Sequence, residues 1–113
     1  MSKGLNLGEF EELVMLAVAI LKKEAYGVAV MDEIKKQTGR DSTISTVHET
    51  LIRLEKKGFL SSYTGGATNV RGGRKKRYFE MTTYGKKAIN ATREVRNKMW
   101  QQVPNLIWEG GNP

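Results

Sequence analysis

At 113 residues the chain has room for one domain and not for two, and the apolar content of 39% with only two prolines suits an ordered globular core. Cysteine is absent, which excludes disulfides, thiolate metal sites and a cysteine nucleophile. The net charge of +7 is unevenly spread, with 6 basic and 8 acidic residues over Met1–Ile52 but 13 basic and 3 acidic over Arg53–Lys98, so the second half suits either a polyanion such as nucleic acid or a solvated basic face. Met1–Asn6 lacks the basic start and apolar run of a signal peptide, and the longest apolar run, Leu13–Leu21, is too short to cross a bilayer. The expectation is a soluble cytoplasmic protein.

The first helix is predicted from Gly8 to about Lys23, with Phe10, Leu13, Leu16, Ala17, Ile20 and Leu21 at helical spacing. Glu9, Glu11 and Glu12 fall in its first turn and Lys22-Lys23 in its last, where each sign complements the helix dipole. That placement explains the acids better than a catalytic or metal site does. After the short link Glu24-Ala25, a second helix is predicted over Tyr26–Thr38, ended by Gly39, with Val30 and Ile34 on its inner face. Gly27 near its start suggests close backbone packing.

A third helix is predicted to begin near Ser45 or Thr46, with Thr46-Val47-His48-Glu49 matching the capping-box pattern. Val47, Leu51 and Leu54 form its buried stripe, while Thr46, Thr50, Arg53 and Lys57 form a polar, partly cationic stripe on another face. Gly58 stands where a helix end wants a left-handed residue. Two strands follow, Phe59–Thr64 and Arg74–Met81, joined by a loop with Gly65, Gly66, Gly72 and Gly73. Thr82 is the predicted cap of a last helix, with Gly85 in its first turn and Tyr84, Ala88, Ala91, Val95, Met99 and Gln102 as a narrow coiled-coil-like seam. Pro104 should end or kink it, and Trp108–Pro113 reads as a tail.

The fold class expected is mainly α with a small β-hairpin: a winged helix-turn-helix over 1–82 with its wing at about 59–81, then a C-terminal dimerisation helix over 83–107 and a tail over 108–113. Helix, strand, basic loop and strand is the order of a winged-helix module, in which the helix enters the major groove and the wing runs along the backbone. The basic run taken alone could equally be an address signal or a charged edge strand. Its place between two strand patterns after a helix-turn-helix favours the wing.

Several blocks then carry a family resemblance: Leu7-Gly8-Glu9-Phe10-Glu11-Glu12-Leu13-Val14-Met15-Leu16, Ala25-Tyr26-Gly27-Val28-Ala29, Leu51-x-Arg53-Leu54-Glu55-x-x-Gly58, Arg71-Gly72-Gly73-Arg74-Lys75-Lys76-Arg77-Tyr78-Phe79 and Thr82-x-x-Gly85. In order and spacing, from about Leu7 to Lys87, the chain resembles the PadR family of transcriptional regulators, and its length resembles the short subfamily with one C-terminal helix. The resemblance implies a homodimer built from the first and last helices. It places Thr46, His48 and Arg53 on the recognition helix and Arg71 to Arg77 on the wing. Many members carry tyrosine where this chain has His48, and both side chains can donate to a phosphate. In some relatives the dimer interface frames a cavity where flat aromatic compounds stack.

The residues expected at DNA are Ser45, Thr46, His48, Glu49, Thr50, Arg53, Arg71, Arg74, Lys75, Lys76 and Arg77. Arg53 suits either a bidentate guanine contact or a phosphate clamp. Thr46 and Thr50 can bond or touch a thymine methyl, and Glu49 can cap the helix or accept from a cytosine amine. Met15, Val95, Met99 and Trp100 are the expected dimer or ligand residues, with a small planar aromatic effector as one role for Trp100 and simple interface packing as the other. His48 is the only histidine, and neither a metal set nor a catalytic grouping is formed, so no cofactor, metal or enzymatic activity is expected. The function expected is a sequence-specific, dimeric DNA-binding repressor. The alternative is a winged helix that docks protein or RNA, against which stand the basic second half and the unreadable major groove of duplex RNA.

Overall fold

The computed structural model describes residues 6–65 and 75–104. Four helices and one hairpin follow in order: α1 (Glu9–Leu21), a 3-10 turn (Lys22–Glu24), α2 (Gly27–Thr38), α3 (Ile44–Lys56), β1 (Leu60–Gly65), β2 (Lys76–Met81) and α4 (Thr83–Gln102). This is the mainly helical winged fold expected from the sequence. The core is contributed by the four α-helices and the hairpin: Val14, Met15 and Val18 from α1, Val30 and Ile34 from α2, Val47, Leu51 and Leu54 from α3, Leu60 and Phe79 from the hairpin, and Ala88 from α4.

The helix ends follow the sequence punctuation with one exception. Gly39 at φ 75° and Gly58 at φ 84° take the left-handed conformation that ends α2 and follows α3. Lys22, not a glycine, ends α1 at φ 57° and ψ −116°, so it caps the helix from outside rather than serving as a basic residue of the last turn. A side chain in that region costs about 1–3 kcal/mol, and glycine's extra unfolded-state freedom offsets part of the relief. Lys22→Gly is therefore expected to raise stability by about 1 kcal/mol in urea denaturation. A lower midpoint would show that Lys22 is unstrained.

The hairpin pairs β1 with β2 antiparallel, Leu60 opposite Met81, Ser62 opposite Phe79 and Gly65 opposite Lys76. It is anchored twice. The Phe79 N–H donates to the Ala25 carbonyl at 2.8 Å, and Tyr26 forms a bridge with Tyr78, so the supposed link between α1 and α2 is a third strand-like partner of the wing. On the other side Thr82 caps α4 by accepting the Gly85 N–H at 2.9 Å, while its hydroxyl donates to the Gly58 carbonyl at 2.6 Å. Gly85 lies so close to β1 that a Cβ there would stand 2.1 Å from the Phe59 carbonyl oxygen. The last helix ends at Gln102, where Val103 turns extended just before Pro104, and 105–107 lie outside the described residues. The glycine loop, Arg71, Arg74 and the tail at 108–113 lie outside the described residues.

Candidate nucleic-acid interface

The geometry of α3 begins at its cap. Of the hydroxyl residues between Ser42 and Thr46, Thr43 is the one that accepts the Thr46 N–H, at 3.1 Å. The cap thus stands two to three residues earlier than the Ser45 or Thr46 expected. Glu49 lies beyond the first turn, exposed, and caps nothing. With Val47, Leu51 and Leu54 fully buried, the opposite face of the helix is necessarily the free one. Ser45, Thr46, His48, Glu49, Arg53 and Lys56 are exposed there, and His48, Glu49, Ile52, Arg53 and Lys56 line one open groove. Thr50 is a correction: it is buried to 1% exposure and its hydroxyl donates to the Thr46 carbonyl at 2.9 Å, which withdraws it from any docking duplex. Ile52 and Lys56 join the expected residues in this groove, half a turn round from the core stripe.

Both flanks of α3 are tied down by carboxylates. On one, Glu11 of α1 accepts Arg53 Nε at 3.1 Å and Lys57 Nζ at 2.8 and 3.0 Å, and also the Gly8 N–H at 2.8 Å. Burial alone would raise the Glu11 pKa, but the hydrogen bonds from Lys57, the Gly8 amide and Arg53, with the Lys57 charge, outweigh it and hold the carboxyl below its ordinary value. Because the folded value is the lower one, the stability it confers is complete above the ordinary carboxylate range and is lost as pH falls through the folded value. On the other flank Glu55 pairs with Arg77 of β2 and accepts the Ser62 hydroxyl at 2.7 Å, which links the helix to the wing. The remaining first-turn acids of α1 are also paired, Glu9 with Arg40 at 2.8 Å and Glu12 with Arg96 at 2.7 Å. All three acids are thus engaged across elements, in addition to their favourable place at the helix start.

The wing residues alternate as a strand requires. Arg77 shares a face with Phe79, its guanidinium 5.3 Å from that ring, whereas Lys76 lies 4.1 Å over the ring of Tyr26 on the other face. Lys75 and Lys76 are exposed at the loop end of the hairpin. Tyr63 and Tyr78 stack with centroids 5.6 Å apart and continue the aromatic row to Tyr26.

At the opposite end, α4 leaves the domain. Tyr84 packs on Phe59 and Ala88 is buried, but Val95, Met99 and Trp100 are 57–63% exposed. Leu16 and Ile20 of α1 are also exposed, and Leu16 stands beside Trp100. Glu12, Leu16, Ile89, Arg93, Arg96 and Trp100 line a cleft of about 280 Å³ between the two helices. Met15 is a second correction: it is fully buried in the core and meets neither the cleft nor the outer face, which Leu16 occupies instead. The run Leu13–Leu21 is apolar on all sides, so its sequence gives no phase to tell inner from outer residues. Among the described residues no group of three or more His, Asp or Glu could hold a metal ion, and no helix is long and apolar enough to cross a membrane.

The model of the transcriptional regulator PadR-like family matches residues 15–91, and the chain belongs to that family. Solved structures share the fold. A PadR-like regulator from Bacillus cereus is 15% identical with a TM-score of 0.70, covering 87% of this chain and 90% of its own. A PadR family regulator from Eggerthella lenta is 24% identical with a TM-score of 0.64, covering 88% and 86%. Bacillus subtilis PadR, solved in complex with operator DNA, is 17% identical with a TM-score of 0.60 over 76% of this chain and 47% of its own. No curated protein matches the chain.

Proposed function

We propose that the protein is a dimeric, sequence-specific DNA-binding repressor acting in the cytoplasm. The observation that carries this reading is the exposed face of α3, with Ser45, Thr46, His48, Glu49, Arg53 and Lys56, set beside a wing strand bearing Lys75, Lys76 and Arg77. A helix of this kind fits the major groove, and the wing cations suit phosphates alongside it. Arg71 and Arg74 extend the same basic run in sequence. The relative solved on operator DNA supports the partner.

The second half of the reading concerns α4. Val95, Met99 and Trp100 are exposed apolar side chains of α4, and Leu16 of α1 shares a cleft with Trp100, a surface that a second copy would bury. Two copies related by a twofold axis would present two recognition helices to two half-sites. The cleft at Trp100 is where a small planar aromatic effector would alter that arrangement and release DNA.

Arg53→Ala tests the DNA half. It leaves Glu11 paired to Lys57, so the fold should hold, and specific binding should weaken by about 1–3 kcal/mol with random duplex less affected. Equal loss on both would reduce Arg53 to a phosphate contact. Sedimentation at micromolar concentration tests the other half: a dimer is expected, and a monomer would end the two-half-site model.

A further inference from the structure

We propose that Glu11 is the positioning residue that sets how sharply α3 discriminates its operator from other duplexes. The inference rests on the DNA-binding reading above. Glu11 lies on α1, 42 and 46 positions from the two α3-end cations it holds, and its side chain is only 8% exposed. The cations are not buried with it: the side chains of Arg53 and Lys57 are 53% and 39% exposed. One sheltered carboxylate therefore anchors two accessible positive side chains at the edge of the reading face.

Two physical consequences follow. Arg53 gives Nε to Glu11 and one Nη2 contact to Thr50 Oγ1 at 3.4 Å, so its guanidinium plane is set before any duplex arrives. A preset fork loses less conformational freedom on meeting a base edge, and a misplaced base gains nothing from it. At the same time the carboxylate cancels about one of the two positive charges, which lowers indiscriminate attraction to phosphate. Glu11 thus favours selective binding by both routes, one through geometry and one through charge. Its Gly8 amide bond is a separate matter, because a glutamine oxygen can accept that bond equally well.

Glu11→Gln therefore separates this role from simple scaffolding. The probes are a duplex selected from a random library by the wild-type protein and a shuffled duplex of the same composition, each titrated over a range of salt. The expected result is a fall of roughly tenfold in the ratio of specific to shuffled binding. It comes with tighter binding to the shuffled duplex and a salt slope steeper by about 0.9 for one freed cation. Parallel weakening on both duplexes, or no change in ratio and slope, overturns the proposal while leaving the regulatory reading intact. A wild-type protein that selects no duplex overturns both. Should the variant fail to fold, the Arg53 Nε–H signal of the wild-type protein decides: protection retained on the selected duplex supports the proposal, and free exchange there overturns it.

Discussion

Phe59→Ala is expected to remove about 3–5 kcal/mol of stability, a large part of the roughly 5–15 kcal/mol that holds a domain of this size together. Phe59 is fully buried, and its ring meets Tyr84 with centroids 5.0 Å apart. It is also the place where three elements join. Its N–H donates to the Leu54 carbonyl at the end of α3, and its carbonyl accepts the Thr82 N–H at the start of α4. Truncation leaves a cavity whose walls are held by those backbone bonds and cannot readily collapse. Urea denaturation followed by far-ultraviolet circular dichroism reads the loss, and a change below about 1 kcal/mol would mean the ring is not central to the core.

Gly85→Ala should have an effect of similar size, about 3 kcal/mol or more, from a single added methyl. The new carbon would stand 2.1 Å from the Phe59 carbonyl oxygen and 2.9 Å from Met81 Cγ. The methionine can yield, but the carbonyl is fixed by Thr82, so α4 must lift off β1. The melting temperature should fall by more than 10 °C, at roughly 4 °C per kcal/mol. Gly39→Ala supplies the contrast. A Cβ there meets nothing within 4 Å and costs only the left-handed strain of φ 75°, about 1–2 kcal/mol. Equal losses at the two positions would refute the steric argument.

What was legible in the sequence was local. Gly39, Gly58 and the Thr82–Gly85 cap act through bonds within a few residues, and α3's buried stripe is a strict helical repeat, so each is written where it acts. The same periodicity marks the exposed face of α3, although Thr50 sits near enough to the core to be drawn into it. Choices among equals were less legible. Thr43, Ser45 and Thr46 are comparable caps in sequence, and in the fold it is Thr43 that accepts the Thr46 N–H. Leu13–Leu21 is apolar throughout, so Met15 and Leu16 could not be told apart until α1 met its neighbours. Long-range pairing was the least legible. Glu11 satisfies a helix-start pattern by itself, and nothing near it in sequence signals Arg53 and Lys57. The Ala25–Tyr26 bridge to β2 likewise belongs to the assembled fold.

That α3 and the wing read duplex DNA is tested most directly by titrating the purified protein against the duplex upstream of its own gene and a shuffled duplex, at two salt concentrations. Tight binding to the first alone, weakening by about 0.9 logarithmic units per phosphate contact for each tenfold rise in salt, is the predicted result. Equal binding to both duplexes, or no binding at low salt, would contradict it, and the latter would turn attention to a protein-docking role.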